Sequence, residues 1–259
     1  MIDKSILKPE SLPANGHMAS VNDIKMYYED HGEGDLLILL HGFIHYSQYW
    51  KPFVDDFAQH YRVILVDLRG HGRSTNPTNQ YTHRQAALDI FALLDTLGID
   101  KFSGIGFSAG GAALLHMATQ QRSRVQNMIL VASGSYVTEE SRAILGELTP
   151  DNPVWDWDEL RQRHVYGDEQ ILALLTQLNN FKDTYDDLNF TKPYLSTITA
   201  KTLIVHGDRD PLLPVSMPVE MYTAIPDSSL WIIPNGDHVE LLTGHEAEFS
   251  QTVLKFLQE

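Results

Sequence analysis

The chain has 259 residues, a formal net charge of -15 and no cysteine. Its 43% hydrophobic and 20% charged residues suit a folded domain with a sizeable core, and the length allows one large α/β domain or two small ones. The negative charge argues against nucleic acid and anionic membranes as partners, because both select Lys and Arg, and the lack of Cys rules out disulfides and thiolate metal sites.

Residues 1–20 carry Pro9, Pro13 and Asn15-Gly16 without periodicity and read as an N-terminal arm. Met1–Ala19 has no signal-peptide core, and no apolar run reaches bilayer length, so a cytoplasmic protein with no membrane role is expected. Ile24–Glu29 is a strand candidate, with turn signals at His31–Gly34. Leu36–Leu40 is apolar throughout, as expected of a parallel strand buried on both faces, and it ends in His41-Gly42-Phe43. Trp50, Phe53, Val54 and Phe57 recur at helical spacing, so a helix is expected from Ser47, as N-cap, to about Gln59. Val63–Val66 is a further strand and leads into Asp67-Leu68-Arg69-Gly70-His71-Gly72-Arg73-Ser74. A helix spans Thr82–Leu97 and stops at Gly98.

Phe102–Phe107 is the next strand, and the helix-forming run Ala112–Ala118 follows almost at once. Met128–Ala132, Thr202–Val205 and Leu230–Ile233 read as strands, and Glu246–Leu257 as the closing helix. Short apolar strands alternating with amphipathic helices imply an α/β fold, a mostly parallel β-sheet flanked by helices, built from residues 21–133 and 200–259. Across 134–199 the alternation stops. Helical runs at Glu139–Glu147, Trp157–His164 and Glu169–Asn179 and a cluster of aromatics (Tyr136, Trp155, Trp157, Tyr166, Phe181, Tyr185, Phe190, Tyr194) fit an inserted helical lid. Most of these aromatics are expected to pack the lid onto the core. Trp155 and Trp157, with His45 from the loop after Phe43, are the candidate pocket residues.

Gly106-Phe107-Ser108-Ala109-Gly110, set between strand and helix, has the pattern of a nucleophile elbow. So sharp a turn crowds the positions two before and two after the serine, which glycine relieves. It also places Ser108 at a helix N-terminus, whose free N–H groups and partial positive charge suit a developing oxyanion. A serine hydroxyl needs a base, and the base needs an acid to hold its tautomer. Asp208 and Asp210 follow one later strand, and His238 follows the next. His245, the rival base, lies at a helix start, where capping is the plainer role; Asp237 reads as a surface turn residue. No glycine-rich phosphate loop or His-Glu-x-x-His helix is present, so no cofactor and no metal is implied.

Together, His-Gly-Phe at 41–43, the motifs at 67–74 and 106–111, His-Gly-Asp-Arg-Asp at 206–210 and Gly-Asp-His at 236–238 resemble lid-bearing α/β-hydrolases of the esterase, lactonase and cofactor-free haloperoxidase type. The resemblance runs from about Val21 to Gln258. It implies a catalytic triad of Ser108, Asp210 and His238 and a structural role for Asp208. It also implies oxyanion-hole N–H groups from Phe43 and Ala109, with His41 holding the oxyanion loop and His71 structural. Serine at the elbow departs from haloalkane dehalogenases and soluble epoxide hydrolases, which use aspartate. His-Gly-Phe-Ile departs from the glycine-rich loop of carbon–carbon bond hydrolases. The implied activity is a serine esterase, a hydrolase of a small or medium carboxylic ester or lactone acting on a small-molecule substrate. The alternatives are a hydrolase-like small-molecule receptor with slow turnover, or a side perhydrolase activity. The sequence carries no reading of oligomeric state.

Overall fold

The computed structural model describes residues 12–152 and 154–259. Eight strands form one sheet: β1 (Gly16–Val21), β2 (Ile24–His31), β3 (Leu36–Leu40), β4 (Arg62–Val66), β5 (Phe102–Phe107), β6 (Val125–Val131), β7 (Lys201–Gly207) and β8 (Ser228–Ile233). Their order is β1-β2-β4-β3-β5-β6-β7-β8. β1 and β2 join antiparallel at one edge, and every pairing from β4 to β8 is parallel.

The continuous apolar runs acquire their meaning here. In β3 every residue is buried, and successive side chains point to opposite faces. Leu36, Ile38 and Leu40 join one core with α2 (His83–Thr96), α3 (Ala109–Gln120) and α8 (Ser216–Ala224). Leu37 and Leu39 join the other core with α1 (Lys51–Ala58) and α9 (Glu246–Gln258). Helices thus cover both faces, as a parallel sheet requires. The remaining helices, α4 (Glu139–Glu147), α5 (Trp157–Arg163), α6 (Asp168–Asn180) and α7 (Lys192–Leu195), lie in the insertion between β6 and β7. An antiparallel bridge, Tyr136 to Asn189, ties the two ends of that insertion together. Among the described residues no helix is long and apolar enough to cross a membrane.

Two local expectations change, and one helix enters that no expectation covered. The arm expected over residues 1–20 gives way to β1 from Gly16; its first eleven residues lie outside the described residues. Val21 and Ile24 pair across a two-residue turn, Asn22-Asp23, and Asn22 takes φ 48°, which asparagine tolerates in a hairpin. Ser47 is not a helix cap. The chain enters a 3-10 turn, Ser47–Trp50, from an extended Tyr46 and continues into α1, where Pro52 occupies a first-turn position that needs no N–H. α8 was not anticipated. Its buried face consists of Met217, Pro218 and Met221, too few apolar positions to announce a helix by period alone.

Candidate active site

The turn from β5 to α3 holds Ser108 at φ 48° and ψ -112°, a region sparsely occupied by residues with a side chain. The surroundings enforce it. Ser108 N–H donates to Val131 O at 2.9 Å, and its carbonyl accepts from Ala112 N–H and from the Ser133 hydroxyl, both at 3.0 Å. The glycines are required by contact: a Cβ at Gly106 would lie 2.5 Å from the Gly110 backbone, and one at Gly110 would lie 2.3 Å from Leu40 O.

Three side chains from three strand ends meet at this turn. His238 Nε2 lies 3.0 Å from Ser108 Oγ, and His238 Nδ1 lies 2.7 Å from Asp210 Oδ2. The other Asp210 oxygen accepts the N–H groups of Leu212 and Leu213, each at 2.8 Å, so the carboxylate is fixed in its own loop and presents one oxygen to the imidazole. A carboxylate facing Nδ1 selects the tautomer whose Nε2 lone pair meets the serine hydroxyl. Asp208 does separate work: its carboxylate accepts Asn235 N–H at 2.6 Å and secures the loop that leads to His238.

Phe43 and Ala109, like Ser108, line one cavity, and their backbone N–H groups have no acceptor among the described residues. The loop bearing Phe43 is held from beneath. His41 Nδ1–H donates to Gly42 O at 2.7 Å, and its Nε2 accepts Leu68 N–H at 2.9 Å. Burial pushes the His41 imidazole down to about 3, so the ring is neutral and can play both parts. From the insertion, His164 Nε2–H donates to Ile44 O at 3.2 Å while its Nδ1 accepts Gly72 N–H at 3.0 Å. Burial pushes this ring down to about 4. Ile44 needs such support, because it is a β-branched residue at φ 67°.

The cavity measures about 90 Å³ and is mostly apolar. Ala112, Val137, Leu145, Leu178, Phe181 and Leu213 form much of its wall. Val137, Leu145, Leu178 and Phe181 come from the insertion, so the expected contribution of that segment is present; Phe181 is one of the aromatics of the sequence cluster, whereas the other three were not singled out, and Trp155 and Trp157 take no part. Trp155 and Trp157 are half-buried and pack against the core; the Arg161 guanidinium lies over the Trp157 ring at 5.6 Å, and neither indole reaches the cavity wall. His45 also lies outside that wall. Its ring packs between Tyr49 and Phe107, and burial pushes it down to about 3. His245 stands at the start of α9 beside Glu248, 3.2 Å away, and does not cap the helix with its side chain. Asp237 is exposed and accepts Glu240 N–H, as a turn residue does. His71 is fully buried, with Nδ1 donating to Arg69 O within its turn.

Sequence reasoning missed Ser133, His164, His83 and Asp187. His164 meets Ile44 across 120 positions, and Asp187 meets His83 across 104, separations that leave no local pattern. Among the described residues no group of three His, Cys, Asp or Glu is arranged to hold a metal ion.

An eight-stranded, mostly parallel sheet with helices on both faces and a serine at a strained strand-to-helix turn defines an α/β hydrolase. The chain belongs to the alpha/beta hydrolase fold family, whose model matches residues 35–175, more than half of its length. Among curated relatives it is 26% identical over 255 residues to the 2-hydroxy-6-oxo-6-(2'-aminophenyl)hexa-2,4-dienoic acid hydrolase of Metapseudomonas resinovorans, covering 90% of this chain and 88% of that one. It is 27% identical over 252 residues to the human serine hydrolase BPHL, covering 92% and 85%. Among solved structures, the enol-lactonase of Burkholderia xenovorans LB400 superposes with a TM-score of 0.75 at 22% identity, covering 94% of this chain and all of the other. The meta-cleavage product hydrolase of Pseudomonas fluorescens IP01 gives 0.77 at 21%, covering 94% and 97%. The protein is a hydrolase by family; the chemistry at Ser108 rests on geometry.

Proposed function

We propose that this protein is a serine hydrolase that cleaves a small or medium carboxylic ester or lactone through an acyl-enzyme. The observation that carries this reading is the continuous hydrogen-bond series from Asp210 through His238 to Ser108, at 2.7 and 3.0 Å. In this reading Ser108 Oγ attacks the substrate carbonyl while His238 Nε2 takes its proton. Asp210 keeps the ring oriented and stabilises the imidazolium. The tetrahedral oxyanion is met by the N–H groups of Phe43 and Ala109, which lack any other acceptor among the described residues. His238 then returns the proton to the leaving alcohol. It next takes a proton from water, which attacks the acyl-enzyme and frees the acid and Ser108.

The insertion acts as a lid over this site, excluding bulk water and shaping the acyl pocket, and the small apolar cavity suits a short or medium acyl group. A small-molecule substrate is the partner the site requires.

The test is labelling with a fluorophosphonate, peptide mapping of the adduct, and an ester series graded by acyl length. Adduct at Ser108 with steady multiple turnover is the expected result. Ser108→Ala should lose at least about 10³-fold in kcat on p-nitrophenyl acetate while keeping its circular dichroism. Near wild-type turnover by that variant would remove the serine from the mechanism. Binding with a single turnover would instead favour a receptor, and halide oxidation in acetate with peroxide would reveal perhydrolysis.

A further inference from the structure

One ionisable pair in the cavity wall takes no part in the chemistry above. His83, the first residue of α2, and Asp187, from the insertion, both line the cavity that holds Ser108. The Asp187 carboxylate is committed. One oxygen accepts the His83 backbone N–H and the His83 ring Nδ1–H, both at 2.7 Å, and the other accepts Arg84 N–H at 3.1 Å. His116 Nε2–H donates to the Asp187 carbonyl at 2.6 Å. Burial pushes the Asp187 carboxyl up, but the nearby His116, whose Nε2 lies 3.6 Å from Oδ1, and the hydrogen bonds from His83 outweigh it and hold the group below the ordinary carboxylate range, so it is an anion.

The backbone N–H groups of His83 and Arg84 already complete a helix cap. The imidazole is therefore surplus to the tie between insertion and core. It is 7% exposed and stacked on Phe181, with ring centroids 5.1 Å apart. With Nδ1–H turned to an anion, the ring has one group left, the Nε2 lone pair, and Nε2 has no partner among the described residues. Nε2 keeps some solvent access, so a hydroxyl donor would replace water there, whereas an alkyl chain in its place would leave the acceptor unmet.

Its place relative to the nucleophile follows from α3. Ser108, Ala112 and His116 are spaced by four and lie along one helix face. The first two line the cavity, and the third holds Asp187. The His83–Asp187 pair therefore sits about two helical turns, roughly 12 Å along α3, from Ser108.

We propose that His83 is a specificity residue at the far end of the acyl cavity, accepting a hydrogen bond from a hydroxyl carried on the acyl chain. The preferred substrates are then hydroxyacyl esters or lactones rather than plain alkanoyl ones. A carboxylate in that position would face the Asp187 anion, and a methyl would leave Nε2 unpaired. This assignment builds on Ser108 as the nucleophile, and its test separates the two.

The test uses the full chain in two assays. Calorimetry compares binding of 6-hydroxyhexanoate with heptanoate and of 8-hydroxyoctanoate with nonanoate, each pair equal in chain atoms, with 6-methoxyhexanoate and adipate as controls. The corresponding methyl esters give kcat/KM by pH-stat. At one of the two lengths the hydroxylated chain should be favoured about tenfold in both assays. The methoxy chain, which cannot donate, should lose that preference, and so should adipate. In His83→Asn, whose amide N–H can replace Nδ1 toward Asp187 but which has no Nε2, the hydroxy-to-alkyl ratio should fall to about one. In His83→Gln, whose amide oxygen can stand near Nε2, part of the ratio should return. A hydroxy-to-alkyl ratio of about one for the wild type at both lengths, a preference that survives His83→Asn, or the best binding by adipate would each overturn the proposal. If Ser108 resists labelling and no ester turns over, the hydrolase reading fails alone, because the binding ratio of the acids still decides the role of His83.

Discussion

Ser108 is held in an unfavourable backbone region by contacts that a single methyl group would destroy. Gly106→Ala places a Cβ against the Gly110 backbone, with no flexible side chain to yield. The expected outcome is a loss of several °C in Tm or failure to fold, read by thermal unfolding, together with loss of fluorophosphonate labelling. Asp210 gives a subtler case. Its Oδ1 is pinned by Leu212 N–H and Leu213 N–H, so an asparagine there would keep its amide oxygen on those donors and turn its NH₂ toward His238. The imidazole would then switch to the tautomer protonated at Nε2, which cannot accept the serine proton. Asp210→Asn should keep its fold and KM and lose about 10⁴-fold in kcat, a split visible in steady-state kinetics. A variant with kcat near wild type would mean that the tautomer is set elsewhere.

At the scale of elements, the insertion is fastened to the core by apolar packing and by several hydrogen bonds, two sets of which bear on the site. Asp187 caps α2 from the insertion, and His164 joins α5 to the loops at Gly72 and Ile44. Asp187→Ala removes three hydrogen bonds to one carboxylate and should cost about 2–4 kcal/mol. Hydrogen exchange should locate the loss at the amides of His83 and Arg84; unchanged protection there would rule out the cap. Because the folded-state acidity of Asp187 is enhanced, this contribution is full above the ordinary carboxylate value. It is lost only as the pH falls through the lower folded value. His164→Leu leaves the Gly72 N–H without its acceptor and the Ile44 carbonyl without its donor. It should cost about 1–3 kcal/mol and lower kcat, because the strained Ile44 sits next to Phe43.

For the whole molecule, the sharpest expectation concerns acid. Burial holds His41 at about 3 and His164 at about 4, against 6.5 for an unburied ring. Below pH 6.5 the unfolded chain takes up protons that these rings refuse in the folded state. Each then subtracts about 1.4 kcal/mol of stability per pH unit until its folded value is reached. Burial raises the Asp67 carboxyl, and this offsets part of the effect at the acid end. The urea midpoint should be flat from pH 8 to 7 and fall steeply from 6.5 to 4.5. A flat profile down to pH 4.5 would mean that these rings are not buried in the folded state.

The architecture and the Ser108–Asp210–His238 order were legible along the chain because both depend on local patterns. Five-residue apolar runs identify strands buried on both faces, and a turn too tight for any Cβ leaves glycines at 106 and 110. Short-range features without a strong pattern escaped: β1 alternates over only a few residues, and α8 has a narrow apolar face. The cavity was beyond reach for a different reason. Trp155 and Trp157 were natural candidates by residue type, yet they pack half-buried against the core without reaching the cavity, while Leu145, Leu178 and Phe181 form the wall. Which side of a helix faces the nucleophile depends on how the insertion lies on the core. The ties that set this, Asp187 to His83 and His164 to Ile44, join residues more than 100 positions apart. The sequence by itself determined the sheet, the elbow and the order of the three polar side chains. Only the tertiary structure decided which residues enclose the substrate, because that choice rests on contacts with no trace in local spacing.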